Sequence, residues 1–343
     1  MLKKLTLFAI LSIGYFIPLK AQVVHKPDEL FGVMKRSGLN YQPAELYIDI
    51  DQKNYSKLLN DSSLYHEDSD GHFLVKRIAV LPEAEAEWKL GEKSFLEDKN
   101  YKEAKKHYKN VLDVQNDYYP AKIRIGEAFD IEQDYEKSEA AYKQAISKNY
   151  VNYLPHYLIA KAYYAERNYE DAVNEISLAA ILNRNDTRIQ ELMNEIYADA
   201  HLKYDDWVFS PQYKVFKGSK ETDIKVLSKE GWSGYAIGKA IWQFEPGYAV
   251  NQGEKPGVTS ALEEKECLQY LLYALNDDSK TKPADKAILS LQKVQEFKMM
   301  DGFIYYDVLL RQNPALVYQL PNNVIKTMKN YVIYAHGGAK PNK

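Results

Sequence analysis

The 343-residue chain has one cysteine, Cys267, so no intramolecular disulfide can form and an exported form must be held by packing alone. It has no basic excess. Lys and Arg number 45 against 48 Asp and Glu, a net charge of −3, which leaves nothing like the electrostatic footprint of a nucleic-acid binder. Phenylalanine is scarce, 11 copies against 29 tyrosines, so aromatic packing falls to side chains with an apolar body and a polar tip, suited to half-buried surfaces. Local catalytic signatures are missing as well: no Gly-x-x-x-x-Gly-Lys-Ser/Thr phosphate loop, no His-Glu-x-x-His helix, no Gly-x-Ser-x-Gly elbow and no Cys-x-x-Cys. These absences weaken the case for an enzyme without excluding one, and no cofactor or metal is expected.

What is present begins with Lys3-Lys4, an apolar run from Leu5 to Leu19 and a small residue in Lys20-Ala21-Gln22. Residues 1–21 read as a secretory signal peptide cut after Ala21. The run contains Pro18 and falls short of the roughly 20 residues a membrane span needs. Cleavage would leave 42 basic against 48 acidic residues and no integral span. No cysteine follows the run, which speaks against a lipid-anchored form. The sequence therefore places the mature protein in a bacterial periplasm or cell envelope, or outside the cell.

Residues 22–82 form a small β-containing segment. Leu46–Ile50 alternates with period two, and His72–Val80 is rich in β-formers; with the turn signal Asp68-Ser69-Asp70-Gly71, a hairpin is expected over Leu64–Val80, packed on the first of the helical repeats that start near Glu83. His66, Asp68, Asp70 and Gly71 imitate half a calcium loop. His66 replaces the first carboxylate and Arg77 the last, so a polar turn is the better reading.

From Glu83 a 34-residue pattern recurs three times, in repeats at 85–118, 119–152 and 153–186. Asn100-Tyr101, Asp134-Tyr135 and Asn168-Tyr169 stand in register, each followed by a small residue, Ala104, Ser138 or Ala172. First-helix positions carry Trp88 and Phe95, Ile125 and Phe129, Ile159 and Tyr163; second-helix positions carry Tyr108 and Val111, Tyr142 and Ala145, Ile176 and Ala179. Spacings of three, four and seven put each set on one helix face. Arg188–Tyr204, N-capped by Asp186, has a polar outer face and reads as the helix that closes such an array.

These residues resemble the tetratricopeptide repeat (TPR) family, whose pattern is Trp, Leu-Gly, Tyr, Ala, aromatic, Ala, Pro at fixed offsets. The resemblance covers about 104 residues and implies a mainly α solenoid of three helix pairs plus the capping helix, residues 83–204. Leu90-Gly91 falls one position early, leaving Glu92 where a small residue belongs and suggesting a splayed first pair. The family also implies a concave groove that takes a protein or peptide segment. The matching positions are Lys89, Lys93, Leu96 and Glu97; Ile123, Glu127, Asp130 and Ile131; Tyr157, Lys161 and Tyr164; and Arg188, Glu191 and Glu195. Glu127 stands where the family's carboxylate clamp needs Asn, so that clamp is not expected. The plainer reading of this face is the solvated side of a structural spacer.

Residues 205–231 read as a linker, either an aromatic connection or a hairpin of Tyr213–Phe216 with Ile224–Leu227. Helical segments return at about 232–245, 258–276, 283–300, 303–312 and 322–336, giving a helical C-terminal domain over 232–343. Gly234-x-x-x-Gly238 suits close helix packing, and Cys267 lies on an apolar helix side as an inert thiol. The sequence thus favours a non-enzymatic exported scaffold binding a protein segment. The alternative is an enzyme with its site in 205–343, and homo-oligomerisation is left open.

Overall fold

The computed structural model describes residues 24–44, 59–69, 72–277 and 286–340. The expected leader (1–21) and the expected strand Leu46–Ile50 lie outside them. Among the described residues, no helix is long and apolar enough to cross a membrane.

Three helix pairs make the array: α2 (Pro82–Leu96) with α3 (Tyr101–Val114), α4 (Tyr119–Ile131) with α5 (Tyr135–Lys148), and α6 (Tyr153–Ala165) with α7 (Tyr169–Leu182). An N-terminal helix α1 (Pro27–Arg36) precedes them and α8 (Thr187–Asp199) follows. The recurring Asn/Asp-Tyr dipeptides mark where each second helix starts. Asn100, Asp134 and Asn168 are N-caps accepting from the backbone N–H groups of Glu103, Lys137 and Asp171, each worth about 1 kcal/mol. One residue earlier, Lys99, Gln133 and Arg167 reverse the chain with φ of 51°, 60° and 60°. His201, at the same interval beyond Arg167, takes φ 57° just after α8. The capping helix therefore ends as the first helix of a fourth repeat would.

The expected splaying of the first pair does not occur. A Cβ on Gly91 would lie 2.7 Å from the Tyr108 ring, the approach that Gly126 makes to Tyr142 in the second pair. Gly91 takes over the close-contact role one position early, which frees Glu92 to point elsewhere. Ala104, Ser138 and Ala172 are fully buried in the seams.

The β2 (Leu64–Ser69) and β3 (His72–Arg77) hairpin forms as expected. It does not rest on the first repeat alone, because each repeat holds the segment before or after it by one amide. Gln115, Asn149 and Asn183 are the C-cap residues of α3, α5 and α7 and recur at the repeat interval. Gln115 accepts from Leu81 N–H at 2.9 Å and donates to the Ala79 carbonyl at 3.2 Å. Asn149 donates to the Leu64 carbonyl at 2.9 Å, and Asn183 to Asn60 Oδ1 at 2.6 Å. At the hairpin's far side, His66 Nδ1 donates to the Tyr318 carbonyl at 2.8 Å and its ring stacks on Phe73, a structural role.

Residues 205–231 are ordered into the fold rather than left as a connection. Trp207 and Phe209 are buried, and β4 (Tyr213–Lys217) pairs antiparallel with β5 (Asp223–Ser228). β1 (Asn40–Ala44) from the N-terminal segment adds in parallel to β5, giving the order β1-β5-β4. Ile224 and Val226 turn toward α9 (Ser233–Phe244), burying Ala236 and Ala240. After the short α10 (Tyr248–Asn251), α11 (Ala261–Asp277) crosses α9 so closely that a Cβ on Gly238 would lie 2.9 Å from Cys267 Sγ.

The chain continues through α12 (Lys286–Glu296), α13 (Met300–Phe303), a π-helical Ile304–Leu309, α14 (Leu310–Gln312), a 3₁₀ turn Pro314–Gln319, and α15 (Asn322–Tyr331) running into a π-helical Val332–His336. One hydrophobic core runs from the third repeat into this half, including Val173, Ile181, Tyr197, Phe303 and Val332. Lys329 Nζ donates to Asn174 Oδ1 at 2.8 Å, and Arg184 donates to the Tyr306 carbonyl at 2.7 Å. The last repeat is thus clad on its second-helix side.

Candidate functional site: the inner face of the repeats

The first helices α2, α4 and α6, with α8, supply the predicted groove residues. At the first repeat, Lys89 pairs with Glu85 at 2.6 Å and Lys93 with Asp98 at 3.1 Å; Leu96 there and Ile131 at the end of the second repeat's first helix are exposed apolar side chains. Such exposed pairs contribute about 0–1 kcal/mol, so a partner can replace them at little cost. Ile123 is not part of the surface. It is 4% exposed and packs with Tyr119, Tyr142 and Ile159 between repeats.

The centre of the face contains a pair that the repeat pattern did not reveal. Arg124 forks onto Glu92, Nε to Oε1 and Nη2 to Oε2, both at 2.9 Å, and its Nη1 reaches Glu127 at 2.9 Å. Tyr108 donates to Glu92 at 2.7 Å and Tyr142 to Asp130 at 2.6 Å. One signal was available, since Arg124 is the lone arginine in the first helices of the three repeats, and a carboxylate in a helix seam needs such a cation. Burial pushes the Glu127 carboxyl up, and Arg124 only partly offsets this. Asp130 Oδ1 is buried and has no hydrogen-bond partner among the described residues.

Four further predicted residues gather at the end of the array. Tyr157 is half-buried, with Lys161 Nζ 6.0 Å from its ring centroid. Burial raises the Tyr157 hydroxyl, Arg188 opposes this, and Asp186, Glu191 and Glu195 add to it, which places the side chain among the charges of α8. Arg188 is anchored at 3.0 Å to Asp186 and at 3.3 Å to the Tyr153 hydroxyl. Glu191 is exposed. Tyr164 stands apart, donating to Asp199 at 2.8 Å, a bond that pushes its hydroxyl up to about 12.

In the C-terminal half, Glu263, Glu264 and Glu266 converge near Cys267, and each is held by the protein's own donors. Lys239 pairs with Glu263 at 2.7 Å and also with Glu264, and Tyr235 donates to Glu264 at 2.7 Å. Glu266 accepts from Trp242 and Tyr248 at 2.9 Å and from the His25 backbone N–H at 2.9 Å. Cys267 is fully buried, and burial pushes its thiol well up, the reverse of an activated nucleophile.

The helix pairs, their periodic caps and the capping helix make a TPR-like repeat array within a mainly helical chain. No family model and no curated protein matches the sequence. Among solved structures, the array is similar to the Arabidopsis OM64 TPR domain, at 13% identity and TM-score 0.32 over 34% of this chain and 97% of that one. It is similar also to the first TPR of Spaghetti bound to an HSP90 peptide, at 18% identity and TM-score 0.33 over 34% and 93% of the two chains. The Yersinia enterocolitica type III secretion translocator chaperone SycD matches at 14% identity and TM-score 0.33, over 35% of this chain and 96% of its own.

Proposed function

We propose that the protein is an exported, non-enzymatic scaffold whose repeat array holds a segment of a partner protein along its inner face. The observation that carries this reading is the gathering of half-buried Tyr157 with Lys161, Arg188 and exposed Glu191 at the end of the array. Tyr157 supplies an aromatic anchor, and Lys161, Arg188 and Glu191 fix the direction of the segment through charges of both signs.

The glutamates nearest Cys267, Glu263, Glu264 and Glu266, are held by the protein's own donors, which speaks for the scaffold rather than for a nucleophile at that cysteine. Export rests on the Lys3-Lys4 and Leu5–Leu19 pattern of the leader. The test is capture of envelope proteins by the mature chain and by a Tyr157→Ala, Lys161→Glu double variant. Loss of the captured partner at unchanged melting temperature is expected, and unchanged capture rejects the groove. Secretion of a fusion carrying residues 1–30 tests the leader; a reporter that stays in the cytoplasm rejects export.

A further inference from the structure

The β1-β5-β4 sheet has two outer edges, and they differ in what their backbones offer. Lys229 N–H donates to the Gln212 carbonyl at 3.0 Å and Gly218 N–H to the Asp223 carbonyl at 2.6 Å, at the two ends of the β4–β5 ladder. Bonded positions alternate along such a ladder. Lys214 and Phe216 therefore direct their main-chain groups to β5. Tyr213, Val215 and Lys217 turn theirs the other way, to a side where no strand lies among the described residues. On the opposite edge, Asn40 N–H donates to the Thr222 carbonyl at 2.7 Å, so the same alternation leaves the backbone of Tyr41 and Pro43 outermost. Proline has no N–H to give. The β1 edge is thus blunted against further pairing, whereas β4 keeps all its outward donors and acceptors.

Charge selects what β4 accepts. Lys214, Phe216 and Lys217 are exposed, with Lys214 Nζ 5.6 Å from the Phe216 ring centroid. From Tyr213 to Ser228 there are four lysines against Glu221 and Asp223, in a chain whose net charge is −3. Two copies joined through β4 would set these cationic hairpins side by side, which disfavours self-pairing. A lipid surface has no row of N–H and C=O groups to meet those of β4. An acidic extended segment satisfies both the backbone and the charge. We propose that β4 takes an added antiparallel strand from an acidic partner segment, bonded to the main chain of Tyr213, Val215 and Lys217. Its carboxylates stand opposite Lys217 and Lys214 and an apolar residue opposite Phe216, which sets the order acidic, apolar, any, acidic along the segment. The site is separate from the inner face of the repeats and does not rest on it.

The test is titration of the ¹⁵N-labelled protein with the blocked peptide Thr-Glu-Val-Thr-Glu-Val-Thr, with both glutamates changed to lysine as the control. Binding of the acidic peptide alone is expected, with slowed amide exchange at Tyr213, Val215 and Lys217 and no change at Lys214 and Phe216, whose N–H groups are already bonded. Val215→Pro is expected to abolish binding at an unchanged fold, because that N–H points outward and bonds to no strand of the sheet. Lys214→Glu with Lys217→Glu is expected to weaken the acidic peptide about tenfold or more and to admit the lysine peptide instead. The groove variant Tyr157→Ala, Lys161→Glu is expected to bind as the parent does. The proposal is overturned if the acidic peptide does not bind, if the lysine peptide binds the parent equally, if protection does not alternate along β4, or if folded Val215→Pro retains full affinity. A dimer of the free protein that Val215→Pro dissociates, or phosphatidylglycerol vesicles that displace the peptide, would overturn it in favour of a second copy or a membrane.

Discussion

Arg124 grips Glu92 with two parallel 2.9 Å hydrogen bonds and touches Glu127 with a single one at the same distance. The two acids are therefore unequal. The Glu127 carboxyl sits above its ordinary range because burial outweighs the arginine. Its ionised form is disfavoured in the folded state, so it weakens stability as pH rises from the unfolded carboxyl value through the folded one. Glu127→Gln is expected to leave the melting temperature at pH 7 unchanged or higher. Glu92→Gln removes the fork and weakens the acceptor for Tyr108, at a cost of about 1–3 kcal/mol. Urea titration of both variants checks the order, which reverses if Glu127 is the structural partner.

The Asn149 bond to the Leu64 carbonyl is one rung of a ladder with Gln115 and Asn183. Asn149→Ala leaves that carbonyl with only the 3.4 Å approach of the Tyr119 hydroxyl. A loss of about 1–3 kcal/mol is expected, with faster hydrogen exchange confined to the β2–β3 hairpin. Uniformly faster exchange would place the ladder outside the hairpin's own stability.

A buried ion cluster joins the two π-helical segments. Asp307 meets His336 Nε2 at 2.6 Å, accepts from Tyr331 at 2.5 Å and pairs with Arg311 at 3.1 Å. Burial alone would raise its carboxyl, but the His336 charge and hydrogen bond, then Arg311 and Arg184, hold it down to about 2. Because the folded value is depressed, the stabilisation is present above the unfolded value near 3.9 and is lost as pH falls toward about 2. Asp307→Asn is expected to lower the melting temperature by a constant amount from pH 7 to about 4 and by progressively less below that. A gap that stays constant down to pH 2.5 would contradict the assignment.

Gln133 holds a left-handed turn at φ 60° that a side chain of its type adopts at a cost of roughly 1–2 kcal/mol. Asparagine tolerates this conformation, so Gln133→Asn is expected to stabilise the protein by up to about 1 kcal/mol in thermal unfolding. A loss of stability would mean that the glutamine side chain, not the backbone turn, sets the preference.

The repeat array was legible because the residues that set its period also make its structure: Asn100, Asp134 and Asn168 cap helices, and Lys99, Gln133 and Arg167 turn the chain just before them. The helices of the C-terminal half were legible from apolar spacing. What escaped depends on distant pairings. β1 joins β5 across more than 180 residues, Asn40 against Asp223, and nothing local in Asn40–Ala44 announces a parallel partner. α1 buries only Leu30 fully, too weak a stripe to read as a helix. In the site, Tyr157, Lys161, Arg188 and Glu191 came from the repeat frame. Arg124 did not, because its role follows from Glu92 occupying a position meant for a small residue.

The central claim is that the inner face near Tyr157 holds a partner segment. The most direct measurement places a photo-cross-linking amino acid at position 157 in cells, with the same group at Leu289, an exposed residue of α12, as control. A single partner segment cross-linked from position 157 and absent from position 289, identified by mass spectrometry, is the predicted result. Equal yields from both positions, or no adduct from 157 in a folded protein, would contradict it.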